Sequence, residues 1–259
     1  MMPDPTQEGK GQTKEWKPDV DMPVVYFQGV SKSYGRIHAV SNITLGLSGG
    51  VTGILGMNGA GKSTLFKLLM GKLKPSAGEI RLFGTDPWKN PAPYARVGFV
   101  PEHEKMYDWM TAHGFVSTFA RLNGLTRDEA GIEADRVLDF VGLTDVAYKK
   151  IGQFSKGMRQ RVKIAHALVN DPELIILDEP LSGLDPRARY HFKELMQSLK
   201  SREHTVLYST HLLADAEDLC DQFGILHDGE MKYRGTPTEC MQRYQAESLE
   251  QAYMQCIAE

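Results

Sequence analysis

The run Gly56-Met57-Asn58-Gly59-Ala60-Gly61-Lys62-Ser63-Thr64 carries its glycines, lysine and serine at the spacing G-x-x-x-x-G-K-[ST]. A chance match to that pattern in a chain of 259 residues is on the order of one in a hundred. The flanks narrow it further. Val51 to Leu55 reads as a short buried strand, and Ser63 to Met70 reads as a helix with apolar residues on most faces. A glycine-rich loop between a strand and a helix is a cradle for phosphate groups. Gly56, Gly59 and Gly61 tolerate the backbone angles of a tight loop, and the N–H groups of Asn58 to Thr64 can face an anion at the helix N-terminus. Lys62 adds a point charge for the outer phosphates, and Ser63 is placed to give its hydroxyl to Mg2+. The chain is expected to bind a nucleoside triphosphate.

Composition sets the frame in which that loop works. With 41% hydrophobic residues the chain can bury a substantial core, as one large domain or one domain with an inserted lobe. A net charge of -3 without a Lys/Arg block argues against a nucleic-acid surface. Cys220, Cys240 and Cys256 are well separated and form no C-x-x-C pair, which suggests neither a disulfide framework nor a zinc site and fits a reducing compartment. No apolar run is long enough to span a bilayer, so work at a membrane would need another chain as anchor. Residues 1–22 read as a mobile polar tail.

Val24 to Phe27, Asn42 to Leu47 and Glu79 to Phe83 read as strands around the loop. Leu174 to Leu177 and Thr205 to Tyr208 are continuous apolar runs, the pattern of parallel strands covered on both faces, with a crossover helix from Ala188 to Lys200. Asp228-Gly229 signals a hairpin between Phe223 to His227 and Met231 to Arg234. The middle, about residues 104–168, shows helical spacing. There Phe115, Val116, Phe119 and Leu122 mark one face, and Thr126 with Glu129 forms a capping box for a helix ending at Gly142. Met241 to Ile257 reads as a terminal helix.

Asp178-Glu179 follows the apolar run Leu174 to Leu177, at the strand exit where an open α/β sheet places its ligand. Two adjacent acids beside a triphosphate suit distinct tasks: Asp178 holding Mg2+, directly or through water, and Glu179 polarising the water that attacks the γ-phosphate. His211 leaves the next strand at the same edge, where an imidazole can bond the γ-phosphate or hold the water in line.

Taken in order, these residues resemble the ATP-binding subunits of ABC transporters from Val24 to about Gly235. Leu174 to Pro180 looks like that family's Walker B strand and catalytic acid, Ser182-Gly183-Leu184-Asp185 like its D-loop, and His211 like its switch histidine. Phe154-Ser155-Lys156-Gly157-Met158 with Gln160-Arg161 resembles the signature motif, which in the family contacts ATP held by a second subunit. Tyr34 matches the aromatic that stacks on adenine. The resemblance implies an α/β P-loop NTPase (RecA-like) core with a mainly parallel sheet, an N-terminal antiparallel β subdomain and an inserted α-helical lobe. It divides the chain into the tail at 1–22, an ATPase domain at 23–240 and a C-terminal helix at 241–259. ATP and Mg2+ are the implied cofactors. The implied partners are a second ATP-binding subunit, the same or different, and an integral membrane permease subunit at the cytoplasmic face of the membrane.

Three departures narrow the resemblance. Glu102 stands where the family usually has glutamine; a carboxylate there can ligate Mg2+ but adds negative charge near phosphate. Lys156 and Met158 replace the usual glycine and glutamine of the signature. Lys156 either attracts the partner's phosphate or is simply solvated. The ending Ser248 to Tyr253, with Glu102 and the Ser-Lys-Gly-Met signature, looks like the ABC-2 type exporter branch. Met106-Tyr107-Asp108-Trp109-Met110 is the expected groove for a cytoplasmic helix of the permease. The alternative is a soluble ABC-type ATPase serving translation, repair or cofactor assembly, against which the absence of a coiled-coil insertion and of a basic arm both weigh.

Overall fold

The structure, a computed structural model, describes residues 23–103 and 105–259. The tail assigned to residues 1–22, and residue 104 at the lobe boundary, lie outside the described residues.

The chain begins with β1 (Val25–Tyr34), β2 (Ile37–Leu47) and β3 (Val51–Leu55), then α1 (Lys62–Leu69), β4 (Ala77–Leu82) and β5 (Val97–Val100). A lobe follows with α2 (Ala112–Leu122), α3 (Arg127–Phe140) and α4 (Lys156–Ala167). The chain then returns through β6 (Leu174–Leu177), α5 (Pro186–Ser201), β7 (Thr205–Thr210), α6 (Leu213–Leu219), β8 (Gln222–His227) and β9 (Glu230–Gly235). Two short helices close it, α7 (Pro237–Arg243) and α8 (Leu249–Ala258).

Strands β2, β1 and β4 form an antiparallel sheet. The larger sheet runs β5-β6-β7-β3-β8-β9, parallel throughout except for the final hairpin at Asp228-Gly229. Every residue of β3, β6 and β7 is buried, as continuous apolar strands covered on both faces require. Because β7 lies between β6 and β3, the carboxyl ends of three neighbouring strands deliver the glycine loop, Asp178-Glu179 and His211 to one edge.

The lobe packs α2, α3 and α4 around Phe115, Val116, Ala134, Val137 and Val162. Thr126 and Glu129 exchange the two bonds of a capping box at the start of α3, and Gly142 follows its end with φ 66°. Leu122 departs from the expected stripe. It is the last residue of α2 and 73% exposed, while Ala120 takes the inward position of that turn.

The terminal helix expected from Met241 to Ile257 is two helices. α7 starts earlier, at a Thr236/Glu239 capping box with Pro237 in its first turn. It stops before Gln245, whose φ of 49° is left-handed, and Ser248 caps a fresh start at α8. The break folds α8 back so that Cys240, Tyr244, Ala252 and Cys256 share one core with Phe223 and Tyr233.

Candidate functional site

The loop after β3 has its form because side chains would not fit it. Gly61 has φ 110°, and a Cβ there would stand 2.5 Å from the Ala39 carbonyl oxygen. Gly59 is also left-handed at φ 88°, whereas Gly56 is fixed by crowding: a Cβ on it would meet Leu226 O at 2.5 Å. α1 begins immediately at Lys62 with no acidic residue in its first turn, so nothing offsets the positive end of its dipole. The result is a cavity of about 320 Å3 lined by Asn58, Gly59 and Gly61 to Thr64, with Glu102 and Glu179 opposite. Ala60 does not line it. Ala60 is buried, its N–H donates to Met57 O at 3.1 Å, and its carbonyl accepts from Gly229 N.

Lys62, Glu179 and His211 meet beside this cavity. The Lys62 ammonium, 6% exposed, donates to Gly56 O and Met57 O and lies 3.1 Å from Glu179 Oε1. The other carboxylate oxygen, Glu179 Oε2, lies 2.8 Å from His211 Nδ1. Glu179 has φ 49°, a left-handed conformation uncommon for such a side chain, and its N–H is held by Ser209 Oγ at 2.8 Å. Ser209 also donates to Asp178 Oδ1 at 2.7 Å, so one buried hydroxyl orients both acids. Asp178 N donates to Val100 O at 2.8 Å, anchoring the acidic turn to β5.

Glu179 Oε1 is buried and accepts no hydrogen bond, leaving Lys62 to balance its charge. A buried carboxylate oxygen with unfilled capacity, beside phosphate donors, suits the acceptance of a proton from water. The donor set also fits a triphosphate with Mg2+. Among the described residues no group of three or more His, Cys, Asp and Glu could hold a metal ion alone. A hydroxyl and one or two carboxylates that leave positions for water and phosphate oxygens match the way Mg2+ is bound.

The remaining expected residues separate into two groups. Glu102, exposed beside His103, borders both this cavity and a second of about 190 Å3 that also touches Lys156, Ser182 and Glu179. Tyr34 ends β1 half-exposed, with the Lys32 ammonium 5.4 Å from its ring centre. Ser155 and Asp185 act locally as N-caps, accepting from Met158 N at 3.2 Å and Ala188 N at 2.9 Å. Gly157 packs so close to α5 that a Cβ would come within 2.7 Å of Ala188 Cβ, and Met158 leans on the lobe core. None of Ser155, Gly157, Met158 and Asp185 lines the glycine-loop cavity. The Lys156 ammonium lies against the backbone at Gly183, where a Cβ would meet it at 2.1 Å. Sequence reasoning passed over Ser209; the signal for it was a serine and a threonine ending an otherwise apolar strand.

Comparison with known proteins agrees with this geometry. The family model described as ABC transporter matches residues 40–182, more than half of the chain. This protein belongs to the ABC transporter ATP-binding family. Among its relatives, NatA, an ABC transporter ATP-binding protein of Bacillus subtilis, is 38% identical over 84% of this chain and 90% of its own. The linearmycin resistance ATP-binding protein LnrL of Bacillus subtilis is 37% identical over 90% of this chain and 75% of its own. A Nod factor export ATP-binding protein of Burkholderia orbicola is 38% identical over 82% and 70%. The solved ATP-binding subunit of an ABC transporter superposes with a TM-score of 0.80 at 30% identity, covering 90% of this chain and 99% of that one. A dimeric ATP-binding cassette in a post-hydrolysis state, with ADP and phosphate bound, superposes with a TM-score of 0.73 at 27% identity, covering 82% and 98%. The ABC protein described here is an ATP-binding, ATP-hydrolysing subunit of a transporter. Among its described residues no helix is long and apolar enough to cross a membrane.

Proposed function

We propose that this ATPase subunit powers an ABC-2 type exporter from the cytoplasmic face of the membrane, as one of a pair of ATP-binding subunits bound to a separate permease. The observation that carries the reading is the convergence of Lys62, Glu179 and His211 under the glycine loop. Relatives named for linearmycin resistance and for Nod factor export support the direction.

Loop N–H groups and Lys62 hold the β- and γ-phosphates, and Tyr34 stacks on adenine. Glu179 Oε1 takes the proton of the attacking water while His211, hydrogen-bonded to Oε2, keeps the carboxylate aimed. Ser63, Asp178 and Glu102 are the residues that would hold Mg2+, which would neutralise charge on the phosphate oxygens. Ser155, Lys156 and Gly157 at the start of α4 present N–H groups and positive charge to ATP on the second subunit, with Met158 and Asp185 at the same junction. Binding that favours the closed pair over the open one is what lets hydrolysis do work on the permease.

Gentle isolation from native membranes, with and without ATP and in the Glu179→Gln background, tests the reading. A multi-span protein should co-purify. A ribosome or DNA complex without any membrane partner would move the chain to the soluble ATPases.

Trp109 is 71% exposed beside Tyr107, with ring centres 5.9 Å apart, on a segment tied to the lobe by Asp108 and Arg159 at 2.6 Å. An aromatic this exposed suits a partner's apolar anchor. Trp109→Ala is expected to lower transport-coupled hydrolysis by roughly 10-fold or more, the scale of an interface anchor, with ATP binding near normal. Equal losses in hydrolysis and in nucleotide binding would refute this placement of the permease contact.

A further inference from the structure

Helix α5, which follows the acidic turn, and the segment that follows His211 are joined by three ion pairs. Arg189 faces Asp215 at 3.6 Å, Lys193 faces Asp218, and Lys200 faces Asp221. The Lys193 and Lys200 pairs are partly exposed, and such pairs contribute little. Asp215 is different in kind because it is only 2% exposed. Burial pushes its carboxyl above the usual carboxylate range, while the Arg189 and Lys193 charges and the Thr210 hydroxyl pull it back down.

The contacts around Asp215 close a circuit that passes through the reacting groups. Asp215 Oδ2 accepts from the Thr210 hydroxyl at 3.4 Å, and Thr210 Oγ1 accepts from Leu212 N at 3.1 Å. The residues on either side of His211 are therefore tied to each other and to Asp215. On the other side of the carboxylate, Arg189 Nη2 donates to Leu181 O at 3.4 Å, two residues beyond Glu179. His211 and Glu179 meet at 2.8 Å and complete the ring. A second buried bond holds the α6 end in place, since the Tyr208 hydroxyl donates to Asp215 O at 2.7 Å.

A pair with one buried and one partly exposed partner at 3.6 Å contributes little net stability, so stability alone does not account for this one. Its location does. Leu181 directly precedes Ser182 to Asp185, the segment that resembles the family's D-loop, and His211 is the group placed above to aim Glu179. We propose that Arg189 and Asp215 are positioning residues that hold His211 in register with Glu179 and link that alignment to the Leu181 to Asp185 turn. The inference rests on the roles assigned to Glu179 and His211 above.

The test is ATP hydrolysis by Asp215→Asn and Arg189→Gln, alone and in the His211→Ala background. Rates are taken per nucleotide-binding site under both steady-state and single-turnover conditions. Each single variant should lose roughly 10- to 100-fold in kcat, the effect of a slight misplacement, with KM for ATP within about 2-fold. In the His211→Ala background the same substitutions should change nothing further, because the group they act through is gone. Full-sized losses in that background, or an unchanged kcat per binding site in the single variants, would overturn the proposal. If His211→Ala itself leaves turnover intact, the assignment of His211 fails and the proposal falls with it. Arg189 is 30% exposed, so Arg189→Gln gives the same readout should Asp215→Asn fail to fold.

Discussion

Replacing Glu179 with Gln lowers ATP turnover by about 10²- to 10⁴-fold, the usual contribution of a positioned general base, while ATP stays bound. The substitution preserves the shape of a buried side chain whose backbone N–H is held by Ser209 Oγ, so the turn keeps its form. What is lost is basicity at Oε1, the oxygen that accepts no hydrogen bond. Affinity for nucleotide should hold or rise, because one negative charge leaves a cavity built for phosphate. Removing the product step while keeping the binding step should also trap the pair of ATP-binding subunits in its closed form. Phosphate release measured beside nucleotide binding and size-exclusion mass separates these effects. Unchanged turnover would show that Glu179 is not the base.

That experiment targets a geometry the sequence made legible for a physical reason. Continuous apolar strands bounded by polar residues can only lie inside a doubly covered sheet, and their exits must face the ligand edge. Gly61 was read from the G-x-x-x-x-G-K-[ST] spacing, and Asp178, Glu179 and His211 from their places at those exits together with that loop. β5 and α6 were harder to read. Val97 to Val100 contains a glycine and spans four residues, and Leu213 to Leu219 is a short helix with three acids among seven positions. Neither carries enough periodicity to stand out, and both are fixed by neighbours: β5 by pairing with β6, and α6 by the Asp215 contacts. The break between α7 and α8 failed for a related reason, since helix formers run through it and only the left-handed Gln245 and the Ser248 cap reveal the turn.

Within the site, residues whose type and spacing form a motif were named from the sequence, and residues that support them through hydrogen bonds or packing were not. Ser209 holds both acids, yet a serine at a strand end is ordinary in sequence. Ala60, inside the glycine loop, bonds through its N–H to Met57 O and through its carbonyl to Gly229 N, contacts that no spacing pattern announces. Lys156 was open between a phosphate contact and a solvated position. Its ammonium lies against Gly183, so it joins the signature-like segment to the stretch Ser182 to Asp185 and lines the smaller cavity with Glu179.

Lys62→Ala should act at the earlier step and weaken nucleotide binding. A lysine on an outer phosphate contributes a charge-assisted bond of about 1.5–3 kcal/mol, so affinity should fall roughly 10- to 150-fold. A second effect runs through Glu179. Lys62 lies 3.1 Å from Glu179 Oε1 with the two side chains 6% and 9% exposed, and its removal strands a buried carboxylate. His211 on Oε2 is then the main remaining partner for that charge. The variant should therefore lose both affinity and catalytic alignment, and raising ATP until binding saturates should not restore full turnover. The contrast with Glu179→Gln is diagnostic: one protein binds ATP and does not hydrolyse it, the other binds poorly and stays slow when filled. If saturating ATP brings Lys62→Ala back to full turnover, the Lys62 to Glu179 contact has no part in catalysis and the lysine serves binding alone.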